Sequence, residues 1–367
     1  MQYEKTPKLN KGVAVVICAG VAAAVIVVLS MLGVLGGGQK HVNAVRLRCI
    51  ATQDVTPFGD QVLYYDGAVL YCLSANGSER WSYALGADAS FSAGENNLVA
   101  WVGNQLFIFD RDGRSTYNDH LSDKVQFARA GSRYVAAVVG EDTSPTLIVK
   151  DLNGIDVDSE KTAYEDMFIL DAGFFSDGEY LWTTALDVYG TVPATKMYTI
   201  RVGQMNTGEV SLGEPMVYAV RYAAGRLNVV TTRQLAQYDY RGTQYSGSTV
   251  LVYGWQLIDS EETATGSQLL FATSLQAAGG GLSTLRLISG TTDTQFTLPT
   301  TCVGSALYRN RIYAFGGDSV YRAGFSDRRF TAMSLPLQDT VTGYLGMLSS
   351  GTALLCCGSD VYAVKLP

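Results

Sequence analysis

An eight-residue phrase constrains this chain more than any other feature: apolar residues at alternating positions, then a turn that ends in glycine. It reads LYCLSANG at 70–77, LFIFDRDG at 106–113, LIVKDLNG at 147–154 and LAQYDYRG at 235–242. Looser copies are MYTIRVGQMNTG ending at Gly208, TLRLISG ending at Gly290, VYRAGFSD ending at Asp327, and VYAVKLP at the end of the sequence. A period of two is the signature of a strand, because successive side chains point to opposite faces. Taking one equivalent residue per phrase selects Tyr71, Phe107, Ile148, Tyr198, Ala236, Arg286, Tyr321 and Tyr362. Their separations run from 35 to 50 residues and average about 42, the length of a four-stranded propeller blade.

Two further strand-like runs precede each phrase. In the second unit ASFSAG is followed by a GENN turn, then NLVAWV, then a tight VGN turn into QLFIFD. These read as strands A, B and C, and the segment after each glycine supplies strand D. The expected fold is therefore all-β, a single β-propeller over 43–367. Eight phrases favour eight blades, while the two 50-residue separations leave seven open. The last phrase stops at Pro367 without a strand D, whereas NAVRLRCI at 43–50 is a spare strand at the front. Pairing these N- and C-terminal strands would close the ring and protect its edges. Composition agrees: 39 Gly and 22 Tyr suit short strands and tight turns, and only 17% charged residues argues against long amphipathic helices.

Ahead of the repeats, residues 12–35 read GVAVVICAGVAAAVIVVLSMLGVL, 24 residues in which Ser30 is the one clearly polar side chain. As a helix this run would span roughly 36 Å, enough for a hydrocarbon core of about 30 Å. The expectation is a cytoplasmic tail at 1–11, a transmembrane anchor helix at 12–35 and a linker at 36–42. A cleaved signal peptide is the rival reading, with Lys5, Lys8 and Lys11 as its basic region, but the apolar run is long for one. Lys40, Arg46 and Arg48 beyond the span roughly balance those lysines, and the reading favoured places the propeller outside the cell membrane.

The charge balance excludes one class of partner. Beyond residue 41 there are 23 basic against 33 acidic residues, and Arg328 and Arg329 are the only two basic residues adjacent in sequence. A protein that neutralises phosphates needs clustered Lys and Arg, so nucleic acid is not expected.

The first unit, VLYYDGAVLYCLSANGSERWSY, resembles the repeat of PQQ-type, quinoprotein dehydrogenase-like propellers, in which a strand phrase ends in Gly and a Trp follows four residues later. Gly77 and Trp81 match that spacing, Tyr117 takes the aromatic position after Gly113, and Thr207-Gly208 keeps the turn. The other units lack the motif. With its N-terminal span the whole chain also resembles an uncharacterised family of membrane-anchored propellers from Gram-positive, clostridia-like bacteria. That likeness implies a location more than an activity.

Motifs for chemistry are sparse. Some quinoprotein dehydrogenases carry a disulfide between adjacent cysteines, and Cys356-Cys357 is such a pair by sequence. It sits in ALLCCG, however, which reads as strand B of the last blade, where neighbouring side chains point apart. No recognisable calcium-ligand set or catalytic Asp accompanies it. Cys49, Cys72 and Cys302 complete no CxxC motif or dense disulfide framework, and Cys18 lies in the expected span. DRDG at 110–113 followed by Asp119 lacks the distal Glu of a calcium loop and reads as a hairpin turn. His41 and His120 are the only histidines, too few for His-based zinc sites or a Ser/His/Asp triad, and His120 reads as a turn residue. Trp81, Trp101, Trp182 and Trp255 fall in or beside strand phrases and read as packing between blades. No catalytic residue, cofactor or metal is assigned.

Loop length supplies the remaining signal. In a propeller the B–C hairpins and the D–A connections share one face. Most B–C turns here are minimal, whereas GEDTSP at 140–145, DVYGTVPATK at 187–196 and QAAGGGLS at 276–283 are not. The first two fall in adjacent blades and offer Glu141, Asp142 and Asp187 beside the apolar Val188, Tyr189 and Val192. Loops on a rigid scaffold commonly carry function. The expected role is a membrane-anchored extracytoplasmic scaffold or sensor whose ridge contacts a cell-envelope protein or a glycan. The alternatives are a quinone- or metal-dependent propeller enzyme and a carbohydrate-binding module.

Overall fold

The computed structural model describes residues 42–327 and 329–367, with backbone alone at 205–207. The expected tail, anchor helix and most of the linker, with Cys18 and His41, lie outside the described residues. Among those described, no helix is long and apolar enough to cross a membrane.

Eight four-stranded antiparallel sheets form an eight-bladed β-propeller. Blades 1 to 7 occupy residues 54–84, 90–120, 125–160, 167–213, 217–251, 255–302 and 304–334, each a simple meander of strands A to D. Blade 8 takes strands A to C from Gly343–Met347, Thr352–Cys357 and Asp360–Lys365, and its outer strand D is Asn43–Ile50 from the front of the chain. The closing pair is antiparallel, with Asn43 opposite Lys365 and Arg46 opposite Tyr362. All eight repeat phrases fall on C strands. The two long separations that left seven blades open come from loops, the 188–193 hairpin in the first and the 239–249 turn with the helical turn Gln276–Gly280 in the second.

Each blade is apolar on both faces because each has a neighbour on both. Strand B is the most deeply placed: Gln61–Tyr65 and Thr352–Cys357 are buried at every position. Residues on one face of strand B pack against the preceding blade and those on the other against the next. Cys357 accordingly joins the apolar cluster between blades 7 and 8, and Cys356 the one between blades 8 and 1. All five described cysteines are free and buried. Eight such clusters occupy the eight interfaces, the smallest lying between blades 5 and 6.

The glycine-ended turn has a physical cause. Asp110, Asp151 and Asp239 each close it by accepting two backbone N–H groups, at 2.9 and 3.0 Å for Asp110, with the glycine at φ +81°, +82° and +78° respectively. This is an Asx turn, so Asp110 serves backbone geometry. The glycine is also a docking point. Trp81 on strand D of blade 1 lies flat on Gly113 of blade 2 and donates its ring N–H to the Arg111 carbonyl at 3.2 Å. Tyr117 lies on Gly154 of blade 3 in the same way. The Gly-to-aromatic spacing read in the sequence is therefore one half of an interblade contact. Trp101 and Trp182 are buried, while Trp81 and Trp255 are half-buried. His120 ends the strand Ser115–His120 and is not a turn residue, with Nδ1 3.0 Å from Asn104 Oδ1.

Candidate functional site

The face that carries the B–C and D–A connections is the elaborated one, and the chain joins the propeller at Val42 on the opposite face, beside the turn at 348–351. Residues 140–145 form the B–C hairpin of blade 3, and 188–193 that of the adjacent blade 4. Glu141 and Asp142 are exposed, and among the described residues neither forms an ion pair. Val188, Tyr189 and Val192 are 37%, 63% and 50% exposed. Asp187 behaves differently: its carboxylate accepts the Tyr189 N–H at 3.1 Å and lies 3.9 Å from Lys196 Nζ, so it shapes the hairpin from within.

The two hairpins share a face, yet no hydrogen bond joins them among the described residues. The hairpin of blade 3 is instead tied to the connection between blades 3 and 4, where the Asp166 N–H points to Ser144 Oγ at 3.4 Å. That connection is pinned by Tyr164, which is fully buried, bonded to Thr183 Oγ1 at 2.7 Å and edge-on to Tyr198. The hairpin of blade 4 is tied the other way, since Thr195 Oγ1 donates to Met216 Sδ at 3.8 Å. Met216 precedes strand A of blade 5 and is 41% exposed.

Beyond Met216 the surface holds residues that loop length alone did not signal. Tyr218, Leu251, Tyr253 and Leu275 are 39%, 72%, 81% and 82% exposed on blades 5 and 6. Tyr218, Leu251 and Tyr253 sit at strand ends and in a short connection, where nothing in the one-dimensional pattern separates them from buried residues of the same kinds, and Leu275 opens the third long hairpin. Of the third long hairpin, 276–280 folds into a π-helical turn, held because Gln276 Nε2 donates to Ser283 Oγ at 2.6 Å. A cleft of about 360 Å³ opens between blades 4 and 5, with Leu170, Trp182, Met216 and Tyr218 on its walls and the Arg129–Asp171 ion pair, at 2.9 Å, in it.

The central channel is stitched by polar side chains on the A strands. Arg129 reaches Asp171 in the next blade, Arg221 Nε donates to Ser260 Oγ at 3.0 Å, and Asp259 accepts the Leu307 N–H at 2.6 Å. Burial pushes the Asp259 carboxyl up to about 6, against the pull of the Leu307 and Ser260 N–H groups it accepts. Burial likewise raises the thiols of Cys49 to about 11 and Cys72 to about 12, which keeps them protonated and unreactive at neutral pH. Among the described residues no three His, Cys, Asp or Glu side chains converge as metal ligands would.

These features define a class: an eight-bladed β-propeller with one apolar, loop-elaborated face. Among solved structures, BamB from Moraxella catarrhalis is similar with a TM-score of 0.51 at 10% sequence identity, over 89% of this chain and 98% of that one. A chain of Kuenenia stuttgartiensis hydrazine synthase gives 0.49 at 10% identity, over 77% and 95%. At such identities the likeness is one of fold alone. No protein-family model matches the chain, and no curated protein matches it.

Proposed function

We propose that the chain is a membrane-anchored, extracytoplasmic scaffold or sensor of the cell envelope that holds a protein partner on its loop face and carries no catalytic activity. The apolar run at 12–35 supports the anchor; basic residues balance across it, and a large domain is translocated whatever that balance, so the flanks are compatible with the outward placement. The observation that carries the partner site is the 188–193 hairpin: Tyr189 and Val192 stand in solvent at 63% and 50% exposure, one blade on from Glu141 and Asp142, which form no ion pair among the described residues. Exposed aromatic and aliphatic side chains of this kind mark interaction sites on otherwise polar surfaces.

Asp187 and Ala194 face each other across the hairpin, so the six residues between them can be replaced by Asn-Gly without disturbing the strands. The expected outcome in intact membranes is loss of the main crosslinked partner, with folding unchanged by circular dichroism. An unchanged partner set would overturn the reading. Proximity labelling from the full-length protein tests sidedness at the same time.

A further inference from the structure

We infer that the occupant of this face is a basic amphipathic segment of a partner protein, seated across blades 4 to 6 with an apolar side chain in the cleft between blades 4 and 5. The inference rests on the partner-site reading above and gives it a chemistry and a boundary.

The exposed apolar side chains of this face stand on segments hydrogen-bonded one to the next. The Thr195–Met216 contact links the blade 4 hairpin to the connection into blade 5. From there the Thr232 N–H donates to the Met216 carbonyl at 3.1 Å, and the Val252 N–H to the Arg233 carbonyl at 2.9 Å. The Ser274 N–H then donates to the Gly254 carbonyl at 2.9 Å. These bonds join the segments that carry Met216, Tyr253 and Leu275, with Tyr218 at the start of the strand Val217–Ala223 and Tyr189 and Val192 on the hairpin before Thr195. Leu275 and Tyr253, at 82% and 81%, are the most exposed large apolar side chains described, and both lie on this face. A hydrophobic surface this exposed and this well supported is kept for contact.

Its border selects the contact. Glu141, Asp142, Glu165, Asp166 and Glu214 are exposed around blades 3 to 5, and among the described residues none forms an ion pair. Among the described residues the basic side chains in the connections there are Lys124, Lys161 and Arg233, three against those five carboxylates, since Lys196 is already shared between Asp187 and Glu209 at 3.9 Å each. An apolar arc beside unneutralised carboxylates is complementary to a segment with Leu- or Phe-type residues on one side and Lys or Arg on the other. The same carboxylates repel an anionic lipid surface, and the cleft of about 360 Å³ accepts one large side chain.

The test uses the full-length protein in detergent and a fluorescein-labelled helical peptide of Leu and Lys, with a counterpart carrying Glu for every Lys. Binding of the Lys peptide is expected, weakened about tenfold in a Tyr253→Ser, Leu275→Ser double variant and similarly by raising salt. Ile155→Ser, at 64% exposure on the opposite face, should leave it unchanged. Equal binding of the Glu peptide, or equal binding of the Lys peptide by the double variant, overturns the inference. So does binding to phosphatidylcholine vesicles containing one quarter phosphatidylglycerol that the double variant loses, which would make the surface a lipid contact. If the peptide result fails while Asn-Gly replacement of 188–193 still removes the crosslinked partner, this inference falls and the partner-site reading stands. If that replacement leaves the partner set unchanged, the partner-site reading itself falls.

Discussion

Gly154 has no room for a side chain. A Cβ there would overlap the Tyr117 ring, and its φ of +82° disfavours any L residue. Gly140, at φ +93°, has nothing within 4 Å of the same position. Gly154→Ala therefore meets both a backbone penalty and a clash, Gly140→Ala only the first. The expected loss is about 3 kcal/mol or more for Gly154 and about 1 kcal/mol for Gly140, read as the order of two melting temperatures. Asp259 makes a second residue-scale case. Its carboxyl titrates near 6 when folded and near 4 when unfolded, so the folded state holds the extra proton between those values. Stability contributed by this group is therefore full below about pH 4 and declines as pH rises toward 6. Asp259→Asn should flatten that part of the stability profile, as followed by denaturant titration at pH 4, 5, 6 and 7. The repeated glycine was plain in the sequence. The ring it meets was not, because Tyr117 and Gly154 belong to different blades.

At the scale of elements, the strand Asn43–Ile50 completes blade 8 by pairing with Asp360–Lys365 and covering Leu354 and Cys356 with Leu47 and Cys49. Deleting 43–50 would leave a bare strand edge beside an uncovered apolar cluster. Such edges pair with other chains, so the variant should elute as oligomers in size-exclusion chromatography, whereas deletion of 1–40 should not produce them. The hairpins show the limit of reading elements from sequence. Length alone singled out 140–145, 187–196 and 276–283, and all three lie on one face, the first two on neighbouring blades. It could not reveal that Asp187 is absorbed within its own hairpin, or that exposed apolar side chains recur in the short connections at Met216 and Tyr253.

For the molecule as a whole, stability is a sum of interfaces around a ring, and the ring is as strong as its weakest seam. That seam lies between blades 5 and 6. Strand D of blade 5 is the two-residue Val250–Leu251, the apolar cluster there is the smallest, and a cleft of about 560 Å³ opens beside it. Amides of Arg226–Thr231 and Gly266–Thr273 should therefore exchange with solvent before those of Gln61–Tyr65 and Asn97–Val102, where the interface is filled by Phe58, Leu63, Leu98 and Phe109. Hydrogen exchange resolved by mass spectrometry checks this order. A ligand for the loop face that spans blades 4 to 6 should slow exchange at that seam.

What the sequence determined by itself was the unit: period-two strands, Asp- and Gly-built turns, eight phrases and a spare front strand. All of these are local, since backbone geometry and side-chain alternation act over a few residues. The tertiary structure alone decided what the units meet. Trp81 finds Gly113, Cys356 and Cys357 part to different interfaces, and loops far apart in the chain become one surface, because these contacts depend on ring order, and ring order is not a property of any single segment.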